Sequence, residues 1–176
     1  MDNKAFYFKK ASREDLPGIY KLIREIDQNM TCPDWFAAES EEFLEKCIED
    51  EGFTILAKPS ENPSALKPAG FFTVHFPGLS AKNMGHVLNL SDAGLLVTAH
   101  MDTAVVDPDY RGNHLQSRML AEAEAELSRR SFRHLFATVH PDNIYSLRNV
   151  TGNGYRIIKT CEMYGGLPRH ILYKEL

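Results

Sequence analysis

The sequence predicts an α/β (α+β) fold, a mixed sheet flanked by helices. Three observations carry that expectation. Apolar residues recur at period two in some segments and at helical spacing in others, two helical segments precede most of the strands, and the second half reads strand, helix, strand, helix. A chain of 176 residues with 43% hydrophobic and 25% charged side chains suits one domain over residues 1–176 with a sizeable core, and argues against disorder.

Phe6 and Phe8 alternate with polar residues as a first strand that ends near Lys10. Ser12 to Asp15 resembles a capping box, and Leu16, Ile19, Tyr20, Ile23 and Ile26 follow at helical spacing, with Pro17 in the tolerant first turn. After a break at Thr31 to Asp34, Ser40 opens a second helix with Phe43, Leu44, Cys47 and Ile48 as apolar positions. Phe53 to Ala57 and Gly70 to Phe76 are β-rich runs around a proline-punctuated connection, which predicts an antiparallel pair. Residues 77–97 carry no decisive pattern; His86 to Leu90 and Leu95 to Val97 fit strand, helix or loop. From Thr98 the pattern is strand to Asp107, turn over Pro108 to Gly112, helix to Arg130, strand His134 to Val139, and helix from Asn143 to Thr151. Two last strands, Tyr155 to Cys161 and His170 to Tyr173, join around Gly165-Gly166.

Twenty Lys and Arg against 24 Asp and Glu give a formal charge of -4, which disfavours a nucleic-acid partner because counterion release needs a concentrated basic surface. Cys32, Cys47 and Cys161 are odd in number and lack metal-ligand spacing, so neither a disulfide framework nor a zinc site is expected, and a reducing cytoplasm fits. Met1 to Lys4 begin no apolar leader, and no apolar run is long enough for a membrane span.

The usual nucleotide-hydrolysis, dinucleotide, nucleophile-elbow and zinc-protease motifs do not occur. The distinctive stretch is Val105 to Gln116, a strand that passes through a Pro turn into a helix start. Free N–H groups and the positive dipole end of a first helical turn hold phosphate without a basic protein, with Arg111 adding a directed charge and Gly112 allowing either an unusual φ or a close backbone approach. The same residues also suit a plain tight turn between strand and helix.

Val106, Pro108, Tyr110, Arg111 and Gly112, with Leu115, Met119 and Leu120 on the helix behind them, resemble the acyl-CoA-binding motif of the GNAT superfamily of N-acetyltransferases. His140-Pro141-Asp142-Asn143, Ser146 and Asn149, followed by Gly154-Tyr155, are similar to that family's next segment. The resemblance implies a sheet whose strands at Thr98 to Val106 and His134 to Val139 splay into a cleft for acetyl-CoA or another short acyl-CoA, with no metal. Backbone groups of Ala104, Val105 and Val106 would pair with the pantetheine amides. Arg111, Gly112, Asn113, His114, Leu115, Gln116 and Ser117 would hold the pyrophosphate, and Asn143 and Ser146 would contact the cofactor from the opposite wall. His114 and Gln116 depart from the family pattern, which places small residues there. Asn143 is also a good N-cap.

Asp102 stands six residues before Pro108, where many relatives place an acidic residue. Period two puts it on the face of Ala104 and Val106, as the candidate acceptor of the amine's proton. The family's usual general-acid Tyr position holds Val150; Tyr145, Tyr155 and Tyr164 are substitutes, with Tyr145 expected to face away from Asn143. The acceptor side falls on Asn29 to Phe36 and on Tyr164 to Arg169, where Asp34, Trp35 and Tyr164 are the candidate amine-binding residues. The resemblance therefore implies transfer to a primary amine of a small molecule or peptide by direct attack in a ternary complex. A non-catalytic acyl-CoA-binding or interaction module is the alternative, and an oligomeric structural protein a third. Exposed strand edges near the C-terminus leave room for a homodimer.

Overall fold

The computed structural model describes residues 5–36 and 39–176; Met1 to Lys4, read above as beginning no leader, lie outside them. The strands are β1 Phe6–Lys10, β2 Gly52–Pro59, β3 Gly70–His75, β4 Thr98–Val106, β5 His134–Val139, β6 Arg156–Met163 and β7 Leu167–Glu175. The helices are α1 Leu16–Gln28, α2 Glu41–Glu49, α3 Asp92–Leu96, α4 Leu115–Arg129 and α5 Ile144–Gly152. The strands form one sheet in the order β1-β2-β3-β4-β5-β7-β6, antiparallel throughout except between β4 and β5. The sheet is mixed and flanked by helices, as the sequence predicts, and mostly antiparallel.

Local signals set the early boundaries. The Ser12 N–H donates to the Asp15 carboxylate at 3.0 Å, closing the capping box ahead of α1. Ser40 Oγ accepts the Phe43 N–H at 3.1 Å and starts α2. Both faces of the central strands are covered, which explains their near-continuous apolar runs. On one face Phe53, Ile55, Phe72 and Val74 pack with Met119, Leu120, Ala123 and Leu127 of α4. On the other, Leu56, Phe71 and Val105 pack with Ile19 and Leu22 of α1 and Leu44 of α2. A Cβ on Gly18 would fall 1.9 Å from the Leu66 carbonyl oxygen, so only glycine lets α1 lie against the loop that carries Lys67.

Residues 77–97 resolve into a 3-10 turn, Met84–Leu88, and the short α3. Asn83 organises them: its Oδ1 accepts the Gly85 N–H at 2.8 Å, and its Nδ2 donates to the carbonyls of Gly78 and Leu95. Segments this short have no periodicity, and their shape depends on one buried amide reaching across the loop. No described helix is long and apolar enough to cross a membrane.

Candidate active-site cleft

β4 and β5 pair only from Thr98 with His134 to His100 with Phe136, and then they part. Above that point β4 keeps β3 on one side and β5 keeps β7 on the other, so alternate backbone N–H and C=O groups of each strand face an open wedge. The resulting cleft holds about 1120 Å³ and runs from Trp35 and Glu39, past Asp102 and the β4 wall of Ala104, Val105 and Val106, to the start of α4. That volume is at the upper end of small-molecule and cofactor sites.

At the far end β4 runs through a tight turn into the start of α4. Asp107, buried at the end of β4, accepts the Asp109 N–H at 3.0 Å and meets Lys67 Nζ at 2.8 Å, while Lys67 also meets Glu25 at 2.8 Å. This clamp holds the 3-10 turn Pro108–Tyr110. Gly112 follows at φ +82° and His114 at φ +54°, both left-handed, before α4 begins. Because the first bond back to the His114 carbonyl comes from the Arg118 N–H, those of Leu115, Gln116 and Ser117 precede the helical ladder.

Arg111, Gly112, His114, Leu115 and Gln116 line the cleft. The side chains of Asn113 and Ser117 turn elsewhere: Asn113 Nδ2 donates to the Tyr110 carbonyl at 2.9 Å, and Ser117 Oγ accepts from Asn153 Nδ2 at 2.9 Å. Gln116 is a bridge, with Nε2 donating to Ser146 Oγ at 3.4 Å and Oε1 accepting from Asn149 Nδ2 at 3.0 Å. It ties α4 to α5, where Asn143 and Ser146 form the opposite wall. Asn143 does cap α5, its Oδ1 accepting the Ser146 N–H at 3.1 Å.

Asp102 departs from the expected alternation. Thr73 faces Thr103 and Val74 faces Met101, so Asp102 is the extra residue of a β-bulge. Met101 packs in the α4-side core with Ala104 and Val106, and the bulge turns Asp102 away from that set. Its carboxylate lies with the ring nitrogens of His75 and His100, all within 4.8 Å of one another, and His75 packs on Phe43 of α2. His100 is kept neutral, its pKa lowered to about 3 by burial, and its Nε2 accepts the Met84 N–H at 3.0 Å. The partner the sequence did not reveal is Glu39, whose carboxyl hydrogen-bonds that of Asp102. Burial, then the Glu39 charge, raises Asp102 to about 7, against a lowering hydrogen bond from Thr103. Burial also raises Glu39, opposed by its hydrogen bond to Asp102.

Trp35 and Tyr164 line the mouth of the cleft, whereas the exposed Asp34 stays outside its wall. The Tyr164 hydroxyl hydrogen-bonds Thr138 Oγ1 of β5 at 3.1 Å. Burial raises its pKa, Asp102 and Glu39 push the same way, and the Thr138 bond opposes them. Tyr155 is buried in the core beside Lys174, away from the cleft. Tyr145 sits on the rim, largely exposed, on the Asn143 wall it was expected to face away from. Arg169, which the sequence did not single out, is buried in the mouth with its guanidinium 5.3 Å from the Tyr164 ring centre.

No curated protein matches the sequence. Solved structures share the fold: a ribosomal-protein-alanine N-acetyltransferase from Brucella melitensis has a TM-score of 0.71 at 18% identity, covering 97% of this chain and 99% of its own. A GNAT-family acetyltransferase from Streptococcus pneumoniae has a TM-score of 0.73 at 17% identity over 98% and 99%. A phosphinothricin acetyltransferase from Sinorhizobium meliloti, solved with AcCoA, has 0.71 at 15% over 97% and 88%. The profile described as "Acetyltransferase (GNAT) family" matches residues 19–151, and the chain therefore belongs to that family.

Proposed function

We propose that this protein is an N-acetyltransferase that moves an acetyl group from acetyl-CoA to a primary amine by direct attack within a ternary complex. The observation that carries the reading is the parting of β4 from β5 beyond His100. An open helix N-terminus at one end of the cleft and the Asp102 carboxylate at the other support it.

In this reading the N–H groups of Leu115, Gln116 and Ser117, with Arg111, hold the pyrophosphate. The unpaired backbone of Ala104 to Val106 takes the pantetheine amides, and a β4 N–H beside the bulge stabilises the oxyanion that forms as the amine adds to the thioester. The new N–C bond forms, the amine proton passes to Asp102, and the C–S bond breaks. Tyr164, protonated and held by Thr138, is the donor placed to return a proton to the leaving thiolate. The proposal includes the cytoplasm as place of action, one domain over residues 1–176, and an acceptor that is a small molecule or peptide, with no membrane or nucleic acid. The exposed β6 edge is open to a second copy.

Titration calorimetry should show saturable binding of acetyl-CoA and CoA, with ATP much weaker. No CoA binding at millimolar concentration would overturn the reading. Saturable binding without transfer to any amine would favour the non-catalytic module instead. Arg111→Ala should weaken acetyl-CoA roughly tenfold, since an exposed charge-assisted contact is removed while the backbone donors remain. An unchanged Kd would remove Arg111 from the cradle.

A further inference from the structure

Arg169 is 3% exposed, yet its guanidinium has little to balance it. Nη1 donates to the Pro168 carbonyl at 2.8 Å, and Nη2 has no acceptor among the described residues. Asp34 acts on it electrostatically from the neighbouring turn but forms no described ion pair. Arginine cannot shed its charge, so a desolvated guanidinium with an unused donor is a costly arrangement unless an anion completes it. Arg169 lines the acceptor mouth, and the Tyr164 ring over its guanidinium reaches with its hydroxyl to Thr138, beside the Asp102 and Glu39 pair.

We infer that the acceptor is a small amino acid, its carboxylate received by Arg169 at the mouth of the cleft while its amine faces Asp102. This rests on the acetyltransferase reading for the amine and adds the second anchor. Carboxylate and guanidinium match as a two-donor fork, and that is why the residue is arginine rather than lysine. A cleft carrying two carboxyl groups repels an anionic acceptor unless a cation neutralises it locally, and Arg169 supplies that cation. A peptide N-terminus has an amide where an amino acid has its carboxylate, so it offers the guanidinium one neutral acceptor in place of a charged two-oxygen fork. Nη2 is covered in this structure, so the carboxylate is received with a small displacement of the Tyr164 ring that lies over it, the hydroxyl staying on Thr138. Tyr164 sits in a turn with Gly165 and Gly166, all three at positive φ.

The test is calorimetric titration of the CoA-saturated protein with α-, β- and γ-amino acids, each against its own carboxamide. The titration is repeated on Arg169→Met and Arg169→Lys. The expected result is at least one amino acid that binds roughly tenfold or more tightly than its carboxamide. That preference should vanish in Arg169→Met and survive in part in Arg169→Lys. If Arg169 only holds Tyr164 in place, both members of a pair weaken together and their ratio stays constant, which overturns the inference. So does the absence of any acid-over-amide preference in the native protein, which needs no variant to fold. Failure to bind CoA would overturn the acetyltransferase reading alone, because the acid-against-amide titration of the unloaded protein still decides the receptor.

Discussion

Asp102→Asn should lower acetyl transfer by about 10²–10⁴-fold while leaving acetyl-CoA affinity within about twofold, because it removes the proton acceptor and keeps the shape. The native kcat/KM should rise with pH through an inflection near 7, the value to which burial and then Glu39 raise Asp102. Glu39→Gln deletes the neighbouring charge and leaves the burial, so the inflection should move to lower pH while transfer persists. An inflection that stays put would mean that Glu39 does not tune Asp102.

The same group makes a stability prediction of opposite direction to an ordinary ion pair. Between its usual value of 3.8 and about 7, Asp102 keeps its proton in the folded state and loses it in the unfolded one. Stability therefore falls as pH rises through that window, by an amount on the order of a few kcal/mol. Urea unfolding at several pH values should show this slope in the native protein and a shallower one in Asp102→Asn. Equal slopes would show that the carboxyl is not protonated in the folded state.

Lys67→Met should cost about 3 kcal/mol and lower Tm by about 6–10 °C. Its amine sits 2.8 Å from Asp107, a carboxylate only 4% exposed, and without it that charge stays buried beside the cradle. Hydrogen bonds from Lys67 to Asp107 and Glu25 raise the lysine pKa, so the clamp is fully present below the usual lysine value and is lost only as pH rises beyond it. The defect should therefore not depend on pH near neutrality. Acetyl-CoA binding should weaken with it, because Asp107 orders the turn that leads to Arg111 and Gly112. Lys67→Arg should restore most of both properties. A Lys67→Met protein as stable as the native one would mean that the Asp107 charge is balanced without the lysine.

Local features are legible in the sequence: Ser12 with Asp15, Ser40, and the run from Asp107 through Pro108 to Gly112 act within a few residues of one another. Less legible were features that depend on chain segments meeting. Glu39 reads as an ordinary acidic residue before a helix cap, and only the approach of that segment to β4 makes it a partner for Asp102. Lys67 sits in a proline-rich loop without pattern, and Gly18 brings that loop against α1. Arg169 reads as one charge after a proline in a strand, with nothing in its neighbours to announce burial.

The sequence by itself determined the α/β class, the order of its elements outside residues 77–97 and the turn that leads into α4, because periodicity, caps and turn residues are local physics. Only the tertiary structure decided which way Asp102 points, since one extra residue in β4 reverses the period-two rule from there on. It also decided what the cleft contains. The pairing of β4 with β5 stops after three residues, and the charges of Glu39, Asp102 and Arg169 gather in the space that the missing pairing leaves.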